Sequence, residues 1–199
     1  QNRLTYLALG DSYTVGEGIT EEDNWPNQLV RSLRKLRLDF KDPQIVAKTG
    51  WTTDELDKAI TLAGINRTFD MVSLSIGVNN QYRGRSVGNF RTEFRLLLER
   101  AIKMANNLPH NVLVISIPDW GLSPFAKDRN SLIIGKKIDA FNAVKAEECN
   151  ILGSVFVDIT EISRNLDQCD TVFAKDKLHY SGTMYGLWVE KIIETHFIT

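Results

Sequence analysis

Sulfur and imidazole are scarce in this chain: 199 residues carry two cysteines, Cys149 and Cys169, and three histidines. Neither cysteine has a Cys-x-x-Cys spacing, and so small a pool of soft ligands argues against a structural zinc site. A single bridge between the two says little about redox compartment in a chain able to build a core of its own. Charge of either sign is not in excess, since the formal net value is −1. That removes the global field that would draw nucleic acid or an anionic membrane. Long apolar runs are missing as well, and nothing approaches the roughly 20 residues of a membrane span. No secretory leader is visible, yet the chain starts at Gln1, so its compartment stays open. Phosphate loops are absent too: there is no Gly-x-x-x-x-Gly-Lys-Ser/Thr, and no Gly-x-Gly-x-x-Gly after the first apolar run.

What is present is a composition 43% hydrophobic, enough for one sizeable core, and residues 1–199 are expected to form a single domain. Short apolar runs alternate with longer helical patterns. Strands are expected at 4–9, 45–47, 71–76, 111–117 and 155–159. Helices are expected at 25–38, 52–62, 86–106, 131–150 and 181–197. Arg31, Arg34, Lys35 and Arg37 alternate with Leu33, Leu36 and Leu38, which reads as the solvated face of an amphipathic helix. Alternation of this kind predicts an α/β fold, a three-layer α/β/α sandwich of about five parallel strands.

In such a sheet ligands bind beyond the carboxyl ends of the strands. Four polar loops follow expected strands: Gly10-Asp11-Ser12-Tyr13-Thr14, Thr49-Gly50-Trp51-Thr52-Thr53, Gly77-Val78-Asn79-Asn80, and Asp176-Lys177-Leu178-His179. Together they hold the parts of an acyl-transfer site. A serine hydroxyl is a weak nucleophile and needs a base, for which imidazole is suited. The imidazole needs a carboxylate to fix its tautomer, and Asp176 stands one tight turn from His179. The tetrahedral intermediate needs donors, available from the Ser12 N–H, the Gly50 N–H and the Asn79 amide. His110 precedes a strand and His196 ends the last helix, so both are poorer bases. Asp11 is expected to shape its turn through backbone hydrogen bonds.

These four blocks, in this order across almost the whole chain, resemble those of the SGNH (GDSL-type) hydrolases. The resemblance implies a flavodoxin-like sandwich and ester hydrolysis without a metal or organic cofactor. It implies Ser12 as nucleophile, His179 as base, Asp176 as its partner, and an oxyanion hole of Ser12, Gly50 and Asn79. Two positions depart from the pattern: Asn80 replaces a frequent Asp, and Tyr13 a Leu. The first is expected to act on loop shape or substrate. Ile117-Pro118-Asp119-Trp120-Gly121 resembles a further pocket-lining loop of such enzymes.

Trp51, Tyr82 and Trp120, with Phe125, are aromatics in rim loops and candidates for a substrate wall. Arg83 and Arg85 are candidates for meeting an anionic group. The expected partner is a small ester: an acylated carbohydrate, a lysophospholipid or an acyl thioester. Oligomeric state stays open. The rival readings are a non-catalytic flavodoxin-like module, which lacks a phosphate loop, and an elbow-type α/β-hydrolase, which lacks Gly-x-Ser-x-Gly.

Overall fold

The computed structural model describes residues 3–165 and 171–198. The first strand, β1 (Tyr6–Gly10), is buried along its whole length, as befits a central parallel strand covered on both faces. It runs into a one-turn helix, α1 (Ser12–Val15), and then α2 (Trp25–Lys35). Asn24 caps α2, and Pro26 occupies its first turn, where a missing N–H costs nothing. The helix stops three residues before its leucine pattern does. Arg37 turns left-handed, and the Leu38 N–H reaches back to the Leu33 carbonyl.

The chain continues through β2 (Gln44–Ala47), α3 (Thr53–Leu62), β3 (Met71–Ser75), α4 (Val78–Tyr82) and α5 (Val87–Met104). It ends with β4 (Val112–Ile115), α6 (Ser131–Leu152), β5 (Val155–Val157), α7 (Thr160–Arg164) and α8 (Gly182–His196). Four of the strands are shorter than the apolar runs that mark them, because those runs extend into the turns that enter or leave the sheet, while β2 begins one residue earlier than expected. Leu4, for example, makes only an isolated bridge to Phe40. Among the described residues, α1, α4 and α7 are helices the sequence pattern did not announce. Helices of four or five residues carry too little periodicity to be read.

All five strands are parallel, in the order β2-β1-β3-β4-β5. Right-handed crossovers then decide which face each helix covers. The step from β1 to β2 runs toward one edge and puts α2 on one face. The steps from β2 onward run the other way and put α3, α5 and α6 on the opposite face. Packing agrees: α2 lies against α8, and α5 lies between α3 and α6. This is a three-layer α/β/α sandwich. Its switch point, where the direction of progression reverses, is the gap between β1 and β3, a place where open α/β sheets bind ligands.

Gly77, which turns the chain from β3 into α4, has φ +129°, and a Cβ there would stand 2.9 Å from the Phe90 ring and 3.0 Å from Ile117 Cδ1. Gly77→Ala combines a backbone strain of about 1–3 kcal/mol with overpacking of similar size. It should lower unfolding stability by about 2–4 kcal/mol. Urea denaturation checks this, and a loss below about 0.5 kcal/mol would mean that the turn relaxes freely.

Candidate active site

Ser12 is the first residue after the Gly10-Asp11 turn at the end of β1. Gly10 is required there, because a Cβ would lie 2.2 Å from Thr14 Oγ1 and 2.7 Å from the Ser75 carbonyl. The Asp11 carboxylate accepts the Tyr13 N–H at 3.0 Å, which winds the chain into α1 and sets Ser12 at its N-terminus. The N–H of Ser12 therefore has no partner within its own helix.

At the far end of the chain, a tight turn with Lys177 in a left-handed conformation closes on itself. Asp176 Oδ1 accepts the N–H groups of Leu178 and His179, each at 2.9 Å. Its Oδ2 lies 2.5 Å from His179 Nδ1, and His179 Nε2 lies 2.9 Å from Ser12 Oγ. Burial by itself would raise the Asp176 pKa. The bond to His179 and the two backbone N–H bonds outweigh it and hold the carboxyl below the ordinary carboxylate range. The buried imidazole tilts against Tyr13 at 5.4 Å between ring centroids, and Tyr13 stacks in turn on Tyr180. The structure thus brings Ser12, Asp176 and His179 into one hydrogen-bonded row.

Asn79 and Gly50 reach the same rim. Asn79 sits in the first turn of α4, with its Nδ2 donating to the Trp51 carbonyl at 2.9 Å and leaving a second N–H on that amide. Asn80, beside it, is fully buried. Its Oδ1 accepts the Thr53 N–H at 3.2 Å and its Nδ2 donates to Thr53 Oγ1 at 2.7 Å, so it stitches the loops after β2 and β3 together. This position shapes the loops.

Ser12, Gly50, Asn79 and His179 line a cleft of about 230 Å³, together with the apolar groups of Val78, Tyr82, Trp120, Phe125 and Leu178. Trp120 is held by its indole N–H, which donates to Gln81 at 2.7 Å, and it meets Tyr82 edge-on. Trp51 does not line the cleft. Its ring packs half-buried against the core, and only its carbonyl touches the site, through Asn79. Arg83 and Arg85 are likewise engaged elsewhere. Arg83 donates to the Gly50 carbonyl and pairs with Glu55, while Arg85 pairs with Asp54 and Glu93. These carboxylates neutralise them and turn them into braces of the rim. Among the described residues, no group of His, Cys, Asp and Glu has a metal-ligand arrangement. Cys149 is buried, whereas Cys169, and with it any pairing of the two, lies outside the described residues.

A model of the GDSL-like lipase/acylhydrolase family matches residues 8–187, nearly the whole chain. The chain belongs to that family. It is accordingly an ester hydrolase, and the readings as a flavodoxin-like binding module or an elbow-type α/β-hydrolase fall away. Solved structures agree in fold. TesA superposes with a TM-score of 0.75 at 17% identity, covering 96% of this chain and 97% of that one. Axe2, an acetylxylan esterase from Geobacillus stearothermophilus, gives 0.73 at 15% identity over 98% and 95%. A lipase/acylhydrolase from Enterococcus faecalis gives 0.72 at 18% identity over 97% and 94%. No curated protein sequence matches the hydrolase significantly.

Sequence reasoning missed Lys145 beneath the site. Fully buried on α6, it donates to the carbonyls of Ile76 and Ile115 at 2.9 and 2.6 Å, closing the carboxyl ends of β3 and β4. Burial brings its pKa down to about 7, against the opposing pull of Asp11. Burial likewise pushes the Asp11 carboxyl up to about 7, against the Tyr13 N–H and Lys145. The one available signal was a cation on an otherwise buried helix face, with Ile138, Phe141 and Asn142 one and two turns before it.

The sign of the resulting pH effect follows from proton counting. Between about 7 and the ordinary lysine range, the unfolded chain holds a proton on Lys145 that the native state has released. Stability from this group therefore rises with pH over that window. Asp11 acts oppositely, lowering stability as pH climbs toward 7. Between pH 7 and 9 the wild-type chain should gain unfolding stability relative to Lys145→Met. Urea midpoints at both values measure this, and parallel shifts in the two proteins would disprove the coupling.

Proposed function

We propose that this ester hydrolase works through a covalent acyl-enzyme on Ser12. His179 takes the hydroxyl proton as Ser12 Oγ attacks the ester carbonyl, then returns it to the departing alcohol oxygen. Asp176 keeps Nδ1 protonated and stabilises the imidazolium. Water, deprotonated by the same imidazole, then attacks the acyl carbon and regenerates Ser12. The oxyanion rests against the N–H groups of Ser12 and Gly50 and the free N–H of the Asn79 amide, donors aimed before charge develops. The single observation carrying this reading is the continuous row Ser12 Oγ, His179 Nε2, His179 Nδ1, Asp176 Oδ2, with contacts of 2.9 and 2.5 Å.

Within the class, the cleft favours a short acyl group. Its volume of about 230 Å³ lies below the usual 300–1,000 Å³ of sites for drug-sized ligands. Val78, Tyr82, Trp120, Phe125 and Leu178 give it an apolar wall suited to a few methylenes. A long lipid chain would have to leave through the open mouth.

Ser12→Ala should abolish turnover of an aryl acetate and labelling by a fluorophosphonate while the far-ultraviolet dichroism stays native. Turnover within about tenfold of wild type would remove Ser12 from the mechanism. Asp176→Asn should lower kcat by about 10²–10⁴, the range for a triad whose imidazole has lost its orienting carboxylate. Across p-nitrophenyl esters, kcat/KM should peak at short acyl chains, and a maximum at octanoate or beyond would overturn the short-acyl assignment.

A further inference from the structure

Beyond the Tyr82–Trp120 wall lies a second hollow of about 230 Å³, which shares those two residues with the cleft and is also lined by Arg129, Asn130, Ile133 and Lys137. The partition is one edge-on aromatic pair, with ring centroids 5.4 Å apart. A substituent of a bound ester that passes over Tyr82 therefore arrives in the hollow.

Arg129 is held unusually for an exposed arginine. Its guanidinium stands over three rings of the cleft wall, 5.4 Å from Tyr82, 5.5 Å from Phe125 and 5.6 Å from Trp120. One Nη donates to the Tyr82 hydroxyl at 3.3 Å. Contacts of this kind hold the guanidinium against the rings, and among the described residues the bond to Tyr82 is its one side-chain hydrogen bond. The other arginines near this rim are spent on carboxylates: Arg83 on Glu55, Arg85 on Asp54, and Arg164 on Asp119. Among the described residues, Arg129 has no carboxylate partner, and no acidic side chain lines the hollow. Lys137, one turn beyond Ile133 on α6, adds a second positive charge.

We propose that this hollow is an anion subsite: Arg129, oriented by Tyr82, Trp120 and Phe125 and assisted by Lys137, binds an oxyanion group, carboxylate or phosphate, carried by the ester. A planar guanidinium with free parallel N–H groups meets either group through two bonds at once. The subsite rests on the reading of Ser12 as the nucleophile in the adjoining cleft, and it names the substrate class as an ester with a negative charge a few bonds from the scissile carbonyl.

Two substrate pairs separate the possible sources of the charge. p-Nitrophenyl hemiglutarate against p-nitrophenyl butyrate puts a carboxylate on the acyl side. Monobutyryl glycerol phosphate against monobutyrylglycerol puts a phosphate on the alcohol side. In at least one pair the wild-type enzyme should favour the charged member by about tenfold or more in kcat/KM, the worth of one charge-assisted contact. That ratio should collapse toward one in Arg129→Gln and shrink with added salt. A ratio identical in wild type and Arg129→Gln for both pairs, with the neutral esters still hydrolysed, overturns the subsite and leaves the esterase standing. If no ester is hydrolysed and no fluorophosphonate labels Ser12, the nucleophile reading fails. The subsite is then decided by calorimetry with glutarate and glycerol phosphate, whose binding to the wild-type protein must vanish in Arg129→Gln.

Discussion

Parallel pairing of β1 with both β2 and β3 is the constraint from which the rest of the molecule follows. Because the chain leaves β1 toward one edge and resumes from β2 toward the other, right-handed crossovers push successive helices to opposite faces. The gap they leave at the carboxyl ends of β1 and β3 stays open. Ser12 follows β1 directly, Gly50 follows β2, and Asn79 follows β3, so each enters that gap from its own strand. His179 arrives from the other end of the chain, because α8 must pack back on α2. Its turn lies just ahead of that helix.

Strands that end inside the buried layer create an electrostatic difficulty, and the fold answers it with buried polar groups. Carbonyls at the ends of β3 and β4 leave the sheet ladder and need donors. Lys145 supplies two of them from one amine, and Asn142 serves Ile117, two residues beyond β4, accepting its N–H and returning an N–H to its carbonyl. Asp11 lies in the same buried layer. Its interaction with Lys145 links the turn that presents Ser12 to the ends of two neighbouring strands. The rim above is braced differently, by partly exposed ion pairs of Arg83 and Arg85 to Glu55 and Asp54 at the start of α3, which are individually weak.

The cleft wall shows how one residue serves two spaces. Tyr82 closes the ester-sized cavity on one side and forms the floor beneath the Arg129 guanidinium on the other. Trp120, fixed by Gln81, holds the angle of that wall. Aromatic rings suit this place because their faces attract a cation while their edges pack against aliphatic groups.

Periodicity and local chemistry determined much of this protein from sequence alone. Five apolar runs alternating with helices dictated the α/β/α layering, since a strand buried on both faces must be covered on both. The four polar blocks marked Ser12, Gly50, Asn79, Asp176 and His179, because each is local: a turn, a cap, or two residues one turn apart. Tertiary structure alone decided the rest. Trp51 and Tyr82 look alike as rim aromatics, yet one ring packs inward and the other lines the cleft. Arg83, Arg85 and Arg129 are equivalent as letters, but only distances reveal which carboxylates neutralise the first two. Lys145 is a helix cation like any other until the rotation of α6 aims it at two strand ends. Such roles depend on which groups meet across 30 to 70 residues of intervening chain, and no local pattern encodes that meeting.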